Sequence, residues 1–250
     1  MLTAQRRDFL LERLGRDGRL VARDIAAELG VTEDMIRRDL RELAAAGKVQ
    51  RVYGGALPVS PAVADYATRT SVAPGSKRRV AQAAAQLVAP GSVVLLDGGT
   101  TALAVVEALP RDLAATIVTH SPTIAVALVD HPRVDVELIG GRLFRHSMVA
   151  CGAAAVEAAS QVRADLFLLG VTGVHAEAGL TTGDRDEAAM KRALAVRAGD
   201  TYVLASAEKI GAASAFEVVP LDSVSGVITD AEDGPALSSL EQAGVKLVRT

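Results

Sequence analysis

Between residues 92 and 248, seven short apolar runs alternate with Ala-rich stretches of helical period, and this alternation leaves the chain few architectures. The runs are 92–97, 116–119, 134–139, 165–169, 201–204, 226–229 and 245–248; the helical stretches are 77–88, 101–109, 121–129, 153–161, 184–198 and 235–243. Val93-Val94-Leu95-Leu96 and Leu166-Phe167-Leu168-Leu169 are apolar at every position, as strands covered on both faces must be. Strands separated by helices pair in parallel, so the pattern predicts an α/β domain with a mostly parallel, helix-covered sheet. Half the residues are apolar but only 3% are aromatic and Trp is absent, so the core must be Ala, Val, Leu and Ile in closely packed layers.

In such a sheet, ligands bind beyond the carboxyl ends of the strands. Asp97-Gly98-Gly99-Thr100-Thr101 follows the first run and opens a helix. Two glycines let backbone N–H groups converge, the helix start adds positive potential, and two hydroxyls add donors: a cradle for phosphate or carboxylate. It lacks the fixed positions of a dinucleotide fingerprint or a Walker loop. Other strand ends carry Thr119-His120-Ser121, Gly140-Gly141-Arg142, Gly170-Val171-Thr172-Gly173 and Ser206-Ala207-Glu208-Lys209. Lys77, before the domain's first helix, is read either as an anion contact or as a solvated helix start. Glu187 and Lys191, four residues apart on a helix, are read as an exposed ion pair.

The first 57 residues follow a different rule. A helix is expected over 4–14 with Phe9, Leu10 and Leu14 inward and Arg6, Arg7, Asp8 and Glu12 outward. A second follows over 20–29, with Val21, Ile25 and Leu29 on one stripe, then a turn at Gly30. In the third, Thr32 is the expected N-cap, Glu33 and Asp34 occupy the first turn, Ile36, Leu40 and Leu43 face a core, and Gly47 ends the helix. Arg37, Arg38 and Arg41 project from its other faces. An Arg-rich helix alone is most often a solvated face. Three short helices, a Gly turn and a basic helix start together describe a helix-turn-helix whose last helix enters the major groove. Residues 49–56 suit a short hairpin or wing, with Arg51 and Tyr53 placed to touch phosphate or sugar. Between the two units, residues 58–76, punctuated by Pro58, Pro61, Pro74 and Gly75, read as a linker with a possible turn at 65–69.

These residues resemble the DeoR-type transcriptional regulators. The winged helix-turn-helix matches at Arg6, Leu10, Leu14, Thr32, Ile36-Arg37-Arg38-Asp39-Leu40, Gly47, Arg51 and Gly54-Gly55-Ala56. The second unit is similar to the DeoR-type sensor domain, related in fold to ribose-phosphate isomerases and coenzyme A transferases. Its matches are Lys77, Ala81, Asp97 to Thr101, Val118-Thr119, Gly140-Gly141, Gly152, Asp165, Gly170, Gly179-Leu180-Thr181, Glu187, Lys191, Lys209 and Thr229-Asp230. The resemblance implies a DNA-binding unit (1–57), a linker (58–76) and an effector-binding and oligomerisation unit (77–250). It implies operator DNA and a phosphorylated sugar as partners. DNA contacts are expected at Thr32, Met35, Arg37, Arg38, Arg41, Arg51 and Tyr53. Effector contacts are expected at Lys77, Asp97, Gly98, Gly99, Thr100, Thr101, His120, Glu187, Lys191 and Lys209. Three residues depart from the family pattern: Met35 stands for Thr, His120 for Asn, and Ser206 for the Asp of an Asp-x-x-Lys element ending at Lys209.

Net charge is -3, but residues 1–57 carry eleven basic against nine acidic side chains, leaving the head near +2 and the rest near -5. So mildly basic a head is expected to need a homo-oligomer to multiply its phosphate contacts. Cys151 is alone, so no intrachain disulfide forms, and its Ala/Gly surroundings predict a small buried residue. The four histidines lack ligand spacing, so neither a metal nor a cofactor is expected. No apolar run approaches a membrane span, the first residues lack a signal peptide's apolar region, and a cytoplasmic location is expected. The leading expectation is a non-enzymatic repressor of a carbohydrate catabolic operon. The alternative is a sugar-phosphate isomerase-like enzyme with an accessory DNA head, since Asp97, Glu187 and Lys191 suit proton transfer. A pure oligomerisation module fits the polar, Gly-rich strand ends poorly.

Overall fold

The computed structural model describes residues 2–250; Met1, first residue of the expected 1–57 unit, lies outside the described residues. The head contains α1 (Thr3–Asp17), β1 (Leu20–Val21), α2 (Ala22–Leu29), α3 (Glu33–Ala45), β2 (Gln50–Val52) and β3 (Gly55–Leu57). Leu10, Leu14, Leu20, Ile25, Ile36, Leu40, Leu43 and Val49 form its core. The second helix starts two residues later than expected, because Leu20 and Val21 pair with Ala56 and Gly55 of the wing. Gly55 is required there: a Cβ would lie 1.7 Å from the Leu20 carbonyl oxygen. Thr32 holds the N-cap position of α3 but its side chain makes no capping hydrogen bond.

Residues 58–76 do not hang free. A 3-10 turn at Pro61–Val63 is followed by α4 (Tyr66–Ser71), capped by Asp65, and α5 (Pro74–Ala85) begins inside the expected linker. Ser60, Ala62 and Arg69 are buried, and Pro58 and Val59 meet Ala213. This segment is a strap laid over the sensor.

The sensor continues with β4 (Val93–Leu96), α6 (Thr100–Ala108), β5 (Ala115–Thr119), α7 (Pro122–Ala127) and β6 (Val134–Leu138). Then come β7 (Arg142–Phe144), β8 (Val149–Cys151), α8 (Ala153–Ala159), β9 (Ala164–Gly170), β10 (Gly173–His175) and β11 (Gly179–Thr182). The chain ends with α9 (Arg185–Ala195), β12 (Ala198–Leu204), β13 (Phe216–Glu217), β14 (Gly226–Thr229), α10 (Pro235–Gln242) and β15 (Leu247–Arg249). Seven strands form one parallel sheet in the order β15-β14-β12-β9-β4-β5-β6. Alternate residues split between two cores. Val94, Leu96, Leu166 and Leu168 meet α5, α6 and α7; Leu95, Phe167 and Leu169 meet α8, α9 and the short strands. The β7–β8 hairpin and the antiparallel sheet β10-β11-β13 were not expected.

The chain leaves β4 toward β5 and β6 on one side and later builds β9, β12, β14 and β15 on the other. The order therefore reverses between β4 and β9. At such a switch the connections diverge and a crevice opens at the strands' carboxyl ends. No helix among the described residues is long and apolar enough to cross a membrane.

Candidate functional site

Helix α3 buries Ile36, Asp39, Leu40 and Leu43. At about 100° per residue, Arg38 and Arg41 point directly away from that stripe, with Met35 and Arg37 on its flanks. All four are exposed, as are Thr32, Arg51 and Tyr53. Arg37 lines a groove with Arg51 and Tyr53 of the wing, and its Nη2 donates to Glu33 Oε1 at 2.7 Å. Helix face and wing thus present one basic surface. Arg6, expected outward, is 6% exposed: its Nε donates to Asp39 Oδ2 at 2.5 Å, and Arg7 Nε donates to Asp39 Oδ1 at 3.2 Å. Asp39 therefore ties α1 to the recognition helix.

The second site sits at the β4–β9 switch. Lys77, Gly98, Gly99, Thr100, Thr101, Glu187, Lys191 and Lys209 line one pocket, joined by Thr172 and Glu208 from two of the strand ends noted in the sequence and by Arg69, Ser147 and Thr182, which the sequence did not mark. Gly99 has φ +98°, a conformation open to glycine, and this turns the first residues of α6 toward the pocket. Gly98 is fixed by space: a Cβ would stand 2.2 Å from Val149 Cγ1.

Asp97 and His120 do not line the pocket; both are 0% exposed and form its floor. His120 Nε2 lies 2.8 Å from Asp97 Oδ1, and its Nδ1 lies 2.8 Å from the Ala150 carbonyl. The imidazole thus links Asp97, just after β4, to β8. Asp97 also accepts from Lys191 Nζ at 2.6 Å and from the amides of Gly98 and Gly170. With Lys191, two backbone amides and the His120 ring around it, Asp97 is a positioning residue. Burial opposes its charge, but Lys191 and then His120 outweigh burial and hold the carboxyl well below the usual range.

The Glu187–Lys191 pair is buried, not exposed, at 4% and 3%. Lys191 Nζ stands 3.5 Å from Glu187 Oε1, and the Thr182 hydroxyl donates to Glu187. Burial would raise Glu187, but Lys191 and Thr182 pull it lower, so it faces the pocket as a carboxylate able to accept from hydroxyls. Burial likewise opposes the charge of Lys191, and Asp97 and Glu187 reverse that effect and raise it.

Lys209 Nζ donates to Thr101 Oγ1 and to the Leu204 carbonyl, both at 3.2 Å, and burial pushes its ammonium down to about 8. Lys77 is 5% exposed, which excludes the solvated helix start, and it donates to the Arg69 carbonyl; burial lowers it too. Four cations, Arg69, Lys77, Lys191 and Lys209, therefore stand against three carboxylates, Glu187 and Glu208 in the lining and Asp97 beneath it, a surplus of one. Ser206 is fully buried and donates to Glu208 Oε1 at 2.7 Å. Cys151 is 1% exposed, and burial raises its thiol to about 12, so it is inert packing.

Residues 6–62 match the family model described as the DeoR-like helix-turn-helix domain, and residues 73–231 match the DeoR C terminal sensor domain. The HTH-type transcriptional regulator GlpR of Haloferax volcanii is 34% identical over 99% of this chain and 98% of its own length. The HTH-type transcriptional repressor GlcR of Bacillus subtilis is 29% identical over 100% of this chain and 97% of its own. The glycerol-3-phosphate regulon repressor of Escherichia coli is 29% identical over 92% of each chain.

Proposed function

Since the chain belongs to the DeoR family, whose members bind DNA and regulate transcription, we propose that it represses a carbohydrate catabolic operon and that a phosphorylated sugar controls its hold on the operator. DNA binding is assigned to residues 1–57 and effector binding to 77–250. In the head, Arg37, Arg38 and Arg41 read the major groove with Thr32 and Met35. Met35 offers an apolar contact for a thymine methyl, and Arg51 and Tyr53 meet the backbone. In the sensor, the effector's phosphate rests on Gly98, Gly99, Thr100 and Thr101, with Lys209 and Lys77 beside it. Glu187 accepts from sugar hydroxyls, and Asp97 and His120 hold the floor in place.

The observation that carries the reading is the cation surplus around the first turn of α6, at the switch point of a parallel sheet. The isomerase alternative is not favoured, because the chain's full-length relatives are named regulators and repressors. The protein acts in the cytoplasm as a homo-oligomer of at least two chains joined through residues 77–250, since a head near +2 needs a partner head to hold an operator.

A thermal-shift screen over phosphorylated sugars, followed by operator binding, tests this. A ligand at a hundred times its Kd adds about 2.7 kcal/mol to stability. One sugar phosphate is expected to raise the melting temperature and change operator affinity. If none in a broad panel does either, the reading fails.

A further inference from the structure

We propose that Arg69, on the strap joining head to sensor, binds the effector's anion directly, and that capturing it undoes a latch that holds the strap to the β7–β8 hairpin. This rests on the reading of the pocket as an anion site.

Arg69 comes from α4, a segment whose composition suggested only a linker. It is 8% exposed and lines the pocket. Its Nη2 donates to the His146 carbonyl at 2.6 Å, and its Nη1 lies 3.9 Å from where a Cβ on Gly99 would stand. The guanidinium therefore spans the distance from the hairpin to the first turn of α6. Its Nε, though buried, has no hydrogen-bond partner among the described residues. A buried cation with an unused donor is under-satisfied, and a planar fork beside a helix start is shaped for a phosphate held by two parallel bonds.

The latch is strained at both ends. Among the described residues two non-glycine residues have positive φ: Ala73 at 45° and Met148 at 54°. Ala73 follows α4 and caps α5; Met148 lies two residues after His146. In sequence they follow, by four and by two residues, the two partners of the Arg69–His146 contact. Left-handed backbone at non-glycine positions gathers at clamps and switches, where the surrounding contacts hold it.

The same contact adjoins the DNA-binding head. His146 and the strap residues Val59 and Val63 line a cleft whose far wall includes Ala44 and Gly47 at the end of the recognition helix. A ligand moves an equilibrium only if it binds the two arrangements differently. Here the difference is built in, because the Nη2 edge that holds His146 in the empty pocket is drawn to the phosphate in the filled one. The wall facing the recognition helix then loses its tie.

Hydrogen exchange of the full chain with inorganic phosphate tests this, using wild type, Arg69→Gln and Arg69→Lys. In wild type, phosphate should slow exchange at 98–102 and change it at 66–72 and 142–148. Arg69→Gln should weaken phosphate binding at least tenfold, about one charge-assisted hydrogen bond, and abolish the response at both distant segments. Arg69→Lys keeps the charge without the fork and should also lose the distant response; it decides the matter if β14 exchange shows the Gln variant unfolded. Equal phosphate affinity and equal distant responses in wild type and variants would overturn the latch while leaving the pocket reading intact. If phosphate changes nothing in wild type, the pocket reading falls and the latch with it.

Discussion

In the head, buried Asp39 with its partners Arg6 and Arg7 ties α1 to α3, while Arg37, Arg38, Arg41 and Arg51 stand in solvent. In the sensor, Asp97, His120, Glu187 and Lys191 are all buried and bound to one another. The head thus separates the charge that builds it from the charges it leaves in solvent. In the sensor one buried cluster ties elements together and also sets Glu187 and Lys191 in the pocket lining. Exposed arginines adapt to each base sequence and tolerate replacement. A buried cluster is ordered before its ligand arrives, and the loss of any member leaves another charge without a partner.

The largest expected effect follows from that. Lys191→Ala leaves Asp97 and Glu187 buried without their shared cation and should destabilise the sensor by about 3–5 kcal/mol, read by urea unfolding. A variant within about 0.5 kcal/mol of wild type, the usual range for surface changes, would break the comparison. Asp39→Ala strands one buried guanidinium instead of two carboxylates. It should cost the head about 3 kcal/mol, seen as faster amide exchange throughout α1 and α3 with sensor amides unchanged.

Arg38→Ala should leave stability within about 0.5 kcal/mol but weaken operator binding by about 1–3 kcal/mol, with a smaller loss on random DNA at the same salt. Unchanged operator affinity in both Arg37→Ala and Arg38→Ala would remove α3 from recognition. The smallest effect is one of pH. Lys209 lies near 10.5 when exposed and at about 8 in the fold. Between those values the unfolded chain holds a proton that the folded chain has released, so this group's contribution to stability grows as pH rises. Phosphate affinity runs the other way, because the attracting ammonium is lost. Titrations at about pH 7 and about pH 9 should show sugar-phosphate binding weakened by less than about tenfold, while the loss caused by Arg38→Ala is the same at both.

The parallel sheet and the helix-turn-helix were legible because their signals are local. Runs such as Leu166 to Leu169 declare burial on both faces, and Ile36, Leu40 and Leu43 declare a helix face. The strands β7, β8, β10, β11 and β13 were not, since two to four residues are too few for a period to show. Arg6 lies four residues before Leu10, on the buried stripe, so its position outranks its charge, with Asp39 as its partner. Glu187 and Lys191 matched the surface-pair spacing, but the partner that draws Lys191 inward, Asp97, is ninety-four residues distant in the chain. Arg69 was hidden by its neighbours, because Pro and Gly around a short helix read as linker. Glu208 stood in a strand end that the sequence marked, but nothing local told whether its carboxylate turns to solvent or to the pocket.

The reversal of strand order between β4 and β9 has a mechanical consequence. No short connection crosses that line, so a seven-stranded sheet would tear there first, into a half of three strands and a half of four. Asp97, from the end of β4, accepts from the Gly170 amide at 2.8 Å, and Lys191 donates to the Gly170 carbonyl at 2.9 Å while holding Asp97. The floor of the candidate pocket is therefore also the rivet across the seam. The sensor should melt as one cooperative unit, with the Gly170 amide exchanging only when the whole domain opens.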